Sequence, residues 1–197
     1  MEKRNEKDLH KIKKLLGWYN MIPNLVWSLL NLVPISVFCF KLMSRQVFYL
    51  FLTISVIPVF FKKSFLDKLQ IGKTTGIYKK LGVPVINSVA QNGVLVNKLI
   101  KKKFPEYKVV TSKPASINRL IMQTYVFEKF HLILFLFFCL ATAYAISSNH
   151  WYWAFIIFLT NIAYNVYPNL LQQYIRLKLL IFRKKMNSVS GTATVIQ

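Results

Sequence analysis

NIAYNVYPNLLQQYIRLK, residues 161–178, closes the last long apolar run of the chain. Asn161, Asn165, Pro168 and Gln172 recur at steps of four, three and four, and Arg176 follows four later. On a helix this spacing lines amides and then a guanidinium along one face. The intervening positions are mostly Ile, Ala, Val, Leu and Tyr, which suit lipid or packed neighbours. A polar stripe on so apolar a segment is costly unless it faces a partner or a ligand. Upstream, Glu128 and His131 interrupt the start of another apolar run. The two polar groups are expected to meet, and the function to lie where they meet.

Composition sets the class. Of 197 residues, 54% are hydrophobic and 15% aromatic, and the mean hydropathy is +0.38. Together with four long apolar runs this reads as an all-α, polytopic integral membrane protein, with about four transmembrane helices and cytoplasmic amphipathic helices. Lys and Arg number 27 against 6 acidic residues, a net charge of +21. Those cations flank the apolar runs and form no separate basic domain, so anionic lipid headgroups, and not nucleic acid, are the expected partners. Cys39 and Cys139 each sit inside an apolar run, and no CxxC or Cys/His cluster occurs. Neither a metal site nor a disulfide framework is expected, and both cysteines read as small apolar fillers.

Along the chain, residues 1–20 form a basic interfacial segment. Leu9, Ile12, Leu15 and Leu16 fall at helical spacing with Lys11, Lys13 and Lys14 between them, and Trp18 and Tyr19 suit an aromatic belt. No small-residue cleavage site follows the next run, so an uncleaved anchor is expected. A single membrane domain over 21–186 then carries apolar segments at about 22–40, 47–61, 126–146 and 151–168. Pro34 is expected to kink the first. The second is short for a crossing of about 20 residues, so the first two either both cross or form a re-entrant hairpin. The polar interval 62–124 is punctuated by Gly and Pro. It is expected to lay one or two helices on the bilayer, among them the basic amphipathic run 94–103. GKTTG at 72–76 lacks the spacing and the preceding strand of a phosphate-binding loop. Residues 187–197 read as a flexible tail.

Charge sets orientation. Residues 1–20 carry 6 basic groups, 62–129 carry 14 and 170–185 carry 5, whereas only Lys41 and Arg45 lie between the first two segments and none in the turn at 147–150. The positive-inside rule then places both termini and the interval in the cytoplasm of a multi-pass cell-membrane protein. The third segment leaves that side and the fourth returns to it. At about 1.5 Å per residue, His131 and Asn165 fall level in depth.

The chemistry of these groups has two readings each. Glu128 and His131, three apart, are neighbours on a helix face. A carboxylate that fixes the imidazole tautomer would let the pair take a proton from a substrate hydroxyl. Alternatively, Glu128 pairs with Lys129 or Arg119 at the interface. Asn161 and Asn165 would hold a carbonyl or developing oxyanion, or hydrogen-bond the bundle together. Gln172, Tyr174 and Arg176 suit a polar headgroup, sugar or phosphate, with Arg176 equally readable as a positive-inside charge.

At these residues the chain resembles the membrane acyltransferase family that includes glycosyl-4,4'-diaponeurosporenoate acyltransferase, of carotenoid (staphyloxanthin-type) biosynthesis. Three blocks carry the likeness: Asn161-x-x-x-Asn165-x-x-Pro168-x-x-x-Gln172-x-Tyr174-x-Arg176, Glu128-x-x-His131, and GIYKKLGV at 76–83. Departures include PVINSVAQNG at 84–93 and Gln173, which stands where an Arg often precedes the Tyr. The resemblance implies transfer of a fatty acyl chain onto a sugar hydroxyl of a glycosylated apolar lipid. His131 would be the base, oriented by Glu128. Asn161 and Asn165 would stabilise the oxyanion, and Gln172 and Arg176 would hold the sugar or the donor's phosphate. No resident cofactor is implied, and an acyl thioester is a candidate donor. The alternative is a non-enzymatic partner subunit or small-molecule carrier in which the polar stripe is structural.

Overall fold

A computed structural model describes residues 2–89, 94–105 and 114–193. Among these every regular element is helical. Helix α1 (Glu2–Leu42) fuses the basic N-terminal segment to the first apolar one in a single run of 41 residues that passes through Pro34 unbroken. Continuity has a physical reason: in hydrocarbon each backbone N–H and C=O must be satisfied within the segment, so a break is costly there. Three described helices, spanning His10–Leu42, Ala115–Ser147 and Trp151–Ser188, are long and apolar enough to cross a membrane. The protein is therefore an all-α membrane protein. The second apolar segment is shorter than a span. It forms α2 (Arg45–Ser55), with Ser44 accepting from the Val47 N–H as its cap, and then the 3-10 turn Ile57–Phe60 entered through Pro58.

The long polar interval condenses into four short helices: α3 (Lys63–Lys68), α4 (Thr75–Lys80), α5 (Val83–Val89) and α6 (Val94–Lys103). Gly82 adopts φ 72° between α4 and α5, a left-handed turn that glycine reaches without steric penalty. Helix α7 (Pro114–Ser147) then runs back through the bundle. The expected uncharged turn follows. Asn149 takes φ 60°, and the His150 N–H donates to the Ala145 carbonyl at 2.8 Å. Asn tolerates this conformation better than most residues with a Cβ. Helix α8 (Trp151–Asn161), a π turn (Ile162–Val166) and α9 (Tyr167–Ala193) form one continuous rod. The expected tail at 187–197 is thus helical to Ala193, and 194–197 lie outside the described residues, as do parts of the interval at 90–93 and 106–113.

Packing places the core at two levels. Near the 147–150 turn, Ile35, Phe38 and Cys39 of α1 meet Phe138, Ala141 and Ala145 of α7 and Ala154 and Ile157 of α8. The alanines let the backbones approach closely, which is how helices associate where lipid is as apolar as a side chain. Helix α2 packs on α7 through Phe48 against Phe137 and Phe51 against Tyr144. At the other level, Tyr78 and Val83 of the interval pack on Leu171, Tyr174 and Leu177 of α9, and Ile117 and Ile121 of α7 pack on Leu179. Many large apolar side chains of α1, including Ile22, Leu25, Leu29 and Val33, point outward. That surface suits lipid. The interval therefore acts as a cap, laid over one end of α7 and α9, and the polar site forms beneath it.

Candidate functional site

Glu128 and Arg176 form a buried ion pair between α7 and α9. The guanidinium NH1 donates to Glu128 Oε2 at 2.5 Å, and the side chains are 1% and 0% exposed. Gln173, one turn before Arg176, donates from Nε2 to Glu128 Oε1 at 2.8 Å. Both carboxylate oxygens are therefore engaged by α9. Two charges removed from water need this much pairing, because desolvation otherwise outweighs their attraction. The amide orientation of Gln173 is set by its surroundings: its Oε1 accepts from the Tyr78 hydroxyl at 3.0 Å and from the Ile71 N–H at 3.3 Å. Only the oxygen can accept, so the nitrogen must face the acid.

The cap supplies these donors from either side of the GKTTG stretch, 72–76. The Gly72 carbonyl accepts from Gln70 Nε2 at 2.6 Å and lies 3.3 Å from the Tyr78 hydroxyl. A Cβ on Gly72 would stand 2.6 Å from Ile77 Cγ2, so only glycine lets the loop close onto α4. Burial pushes the Tyr78 phenol above its usual range, which keeps its proton available for Gln173. Asp67 of α3 completes the ring. Its Oδ1 accepts from the Tyr125 hydroxyl at 2.8 Å and lies 3.8 Å from Arg176 Nε, while the guanidinium stacks over the Tyr125 ring at 4.2 Å. Arg176 nevertheless retains two buried groups, Nε and NH2, with no hydrogen-bond partner.

One turn along α7, His131 meets the π turn. Its ring lies against the Asn165 side chain and the Tyr164 carbonyl. Pro168 explains that carbonyl. An α-helix would bond Tyr164 C=O to the N–H of the residue four later, and Pro168 has none. The ladder widens instead, and the Tyr167 N–H reaches back five residues to the Ile162 carbonyl. Such wide turns recur at functional sites. Asn161 is tied to α7: its Nδ2 donates to the Phe135 carbonyl at 3.2 Å and lies 3.4 Å from Cys139 Sγ, and its Oδ1 accepts from Asn165 Nδ2 at 2.9 Å. His131 Nδ1 and Asn165 Oδ1 are left buried without a hydrogen-bond partner.

The expected meeting of the Glu128/His131 group with the polar stripe of the last helix thus occurs in two adjoining layers, His131 against Asn165 and Glu128, in place of the expected His131, Lys129 or Arg119, against Arg176. The hydrogen bonds of Glu128 go to Gln173 and Arg176, whereas His131 faces the π turn. The donors of Asn161 and Asn165 are engaged in the helix contact. Tyr174 is a buried wall, its ring 6.2 Å from that of Tyr78. Gln172 is only half-buried, and Gln173 takes its expected place. A π turn takes up about one residue more than an α turn, so the face after it shifts by about one. Asn169 and Gln173, not Pro168 and Gln172, become the buried members of the stripe. Sequence reasoning also missed Tyr78 and Asp67, which reach the site only because the interval folds over it. The signal for Tyr78 was its place in GIYKKLGV; Asp67 carried none. Among the described residues, no group of three or more His, Cys, Asp or Glu side chains could hold a metal ion.

Comparison with known proteins bears on this geometry. No curated protein and no solved structure matches the chain. The model of the glycosyl-4,4'-diaponeurosporenoate acyltransferase family does match, over residues 62–185. That span contains each residue of both polar layers, from Asp67 to Arg176, and over half of the chain. The protein is a member of the glycosyl-4,4'-diaponeurosporenoate acyltransferase family.

Proposed function

We propose that the protein is an acyltransferase that moves a fatty acyl chain from a thioester donor onto a sugar hydroxyl of a glycosylated, carotenoid-type apolar lipid at the inner leaflet. The observation that carries this reading is the pair His131 Nδ1 and Asn165 Oδ1, both buried and unpartnered beside each other's side chains. A buried acceptor without a donor costs about 1–3 kcal/mol. A hydroxyl group supplies the missing donor. With the ring proton given to the Tyr164 carbonyl, the other imidazole nitrogen carries the lone pair.

In this mechanism His131 takes the hydroxyl proton as the sugar oxygen bonds to the acyl carbon. The carbon–sulfur bond then breaks, and the imidazolium returns the proton to the leaving thiolate. Asn165 Oδ1, also an unpartnered acceptor, accepts from a second, neighbouring sugar hydroxyl and so orients the ring. Arg176, with Nε and NH2 both unpartnered, is the candidate donor to the acyl carbonyl or to a phosphate of the donor. Glu128, with both oxygens engaged, acts as a positioning residue that holds α7 against α9. The apolar acceptor reaches the site through the bilayer, and the charge asymmetry of the flanks supports a cap on the cytoplasmic side.

A second reading has its own support: the Glu128–Gln173–Arg176 network ties α7 to α9, as a scaffold would. Lipid mass spectrometry separates the two. Cells supplied with glycosylated acceptor and expressing wild type should contain a species heavier by one acyl chain. His131→Gln, at matched membrane levels, should lack it. A scaffold would tolerate this hydrogen-bonding replacement, so the acylated species at wild-type abundance in His131→Gln would refute the base.

A further inference from the structure

On the opposite side of α7 from His131, a groove of about 630 Å³ opens between α7 and the segment that joins α2 to α3. Its α7 wall is Met122, Tyr125, Val126 and Lys129, the i, i+3, i+4, i+7 set of a single helix face. Lys62 and Lys63 stand across from it, with Ser64 beside them. Lys129 donates one hydrogen bond, to the Val59 carbonyl at 2.7 Å, and keeps two N–H groups. None of these three lysines has a salt bridge among the described residues, and no carboxylate lines the groove. Asp67 and Glu128, the nearby acids, already face Arg176. The floor is apolar and open: Phe60 is 81% exposed and Val126 64%.

Three uncompensated cations above exposed hydrocarbon, one of them on a helix long enough to cross a membrane, match one ligand chemistry. We propose that this groove binds an anionic phospholipid, its phosphate between Lys62, Lys63 and Lys129 and its acyl chains along Phe60, Met122 and Val126. A soluble anion would leave the apolar floor uncovered, and a zwitterionic lipid would leave the charge unbalanced. The site adjoins the buried network through Tyr125, whose hydroxyl holds Asp67 and whose ring lies under Arg176. It does not depend on the acyltransferase reading.

The test is lipid binding by the full chain in zwitterionic detergent, read by native mass spectrometry against phosphatidylglycerol, phosphatidylcholine and inorganic phosphate. Wild type should prefer phosphatidylglycerol over phosphatidylcholine by at least about tenfold, given roughly a tenfold gain for one or two lysines near an anionic surface. Lys62→Ala/Lys63→Ala should lose that preference, while Lys79→Ala/Lys80→Ala, which removes the same charge from the exposed face of α4, should keep it. Val126→Glu, which adds a carboxylate to the groove and leaves every lysine in place, should lose it as well. Equal loss in the Lys79/Lys80 variant, equal binding of the two lipids by wild type, or competition by millimolar inorganic phosphate would overturn the proposal.

Discussion

Gln173 Nε2 lies 2.8 Å from Glu128 Oε1, and through that contact an amide joins the cap to the acid of α7. The same side chain accepts from Tyr78 and from the Ile71 backbone, so three chain segments converge on one residue. Buried networks of this kind stabilise when complete and are costly when one member is lost.

Two neighbouring glutamines should therefore differ sharply. Gln173→Ala leaves the Ile71 N–H and a Glu128 oxygen each short of a partner, and should destabilise by about 1–3 kcal/mol. Gln172→Ala, outside the network, should stay within about 0.5 kcal/mol of wild type. Thermal unfolding in detergent measures both. Equal effects would mean that the π turn does not shift the face as described.

The ion pair predicts a non-additive series. Glu128→Gln strands the Arg176 charge and should cost about 3–5 kcal/mol. Replacing both partners, as Glu128→Leu/Arg176→Met, should recover much of that loss. The double variant should accumulate in membranes yet transfer no acyl chain, since Arg176 is gone. Unfolding midpoints and lipid profiles read the two effects separately.

For catalysis, His131→Ala should lower acyl transfer by about a hundredfold or more, the usual contribution of a positioned base. The variant should still accumulate in membranes, since the imidazole's loss removes only its contact with the Tyr164 carbonyl, about 1 kcal/mol. Turnover of a labelled acyl donor in vesicles at matched protein levels is the measurement.

Gly82 sets how the cap turns from α4 to α5. Its φ of 72° is strained for any residue with a Cβ, so Gly82→Ala should cost about 1 kcal/mol. The same substitution at Gly17, within α1 and with open space around it, should be neutral or slightly stabilising. Paired melting curves test the contrast.

Much of this molecule was legible in residue order. Apolar run length, basic flanks and the uncharged 147–150 turn determined an all-helical membrane protein. Hydropathy is additive along the chain, so a linear reading captures it. The 3.6-residue period also brought Glu128, His131, Asn165 and Arg176 to notice before any fold was known. Tertiary structure alone decided who bonds to whom. Glu128 looked like the partner of His131 because the two are three apart, but across-helix contacts with Gln173 and Arg176 take both its oxygens. Gln173 displaced Gln172 because Pro168 widens the helix by a π turn, a register change that ideal periodicity does not contain. Tyr78 and Asp67 joined from 50 and 61 residues before Glu128, through a cap whose closure depends on packing and not on any local pattern. Helix formation is written in nearest neighbours; the site is made where distant segments exclude water together.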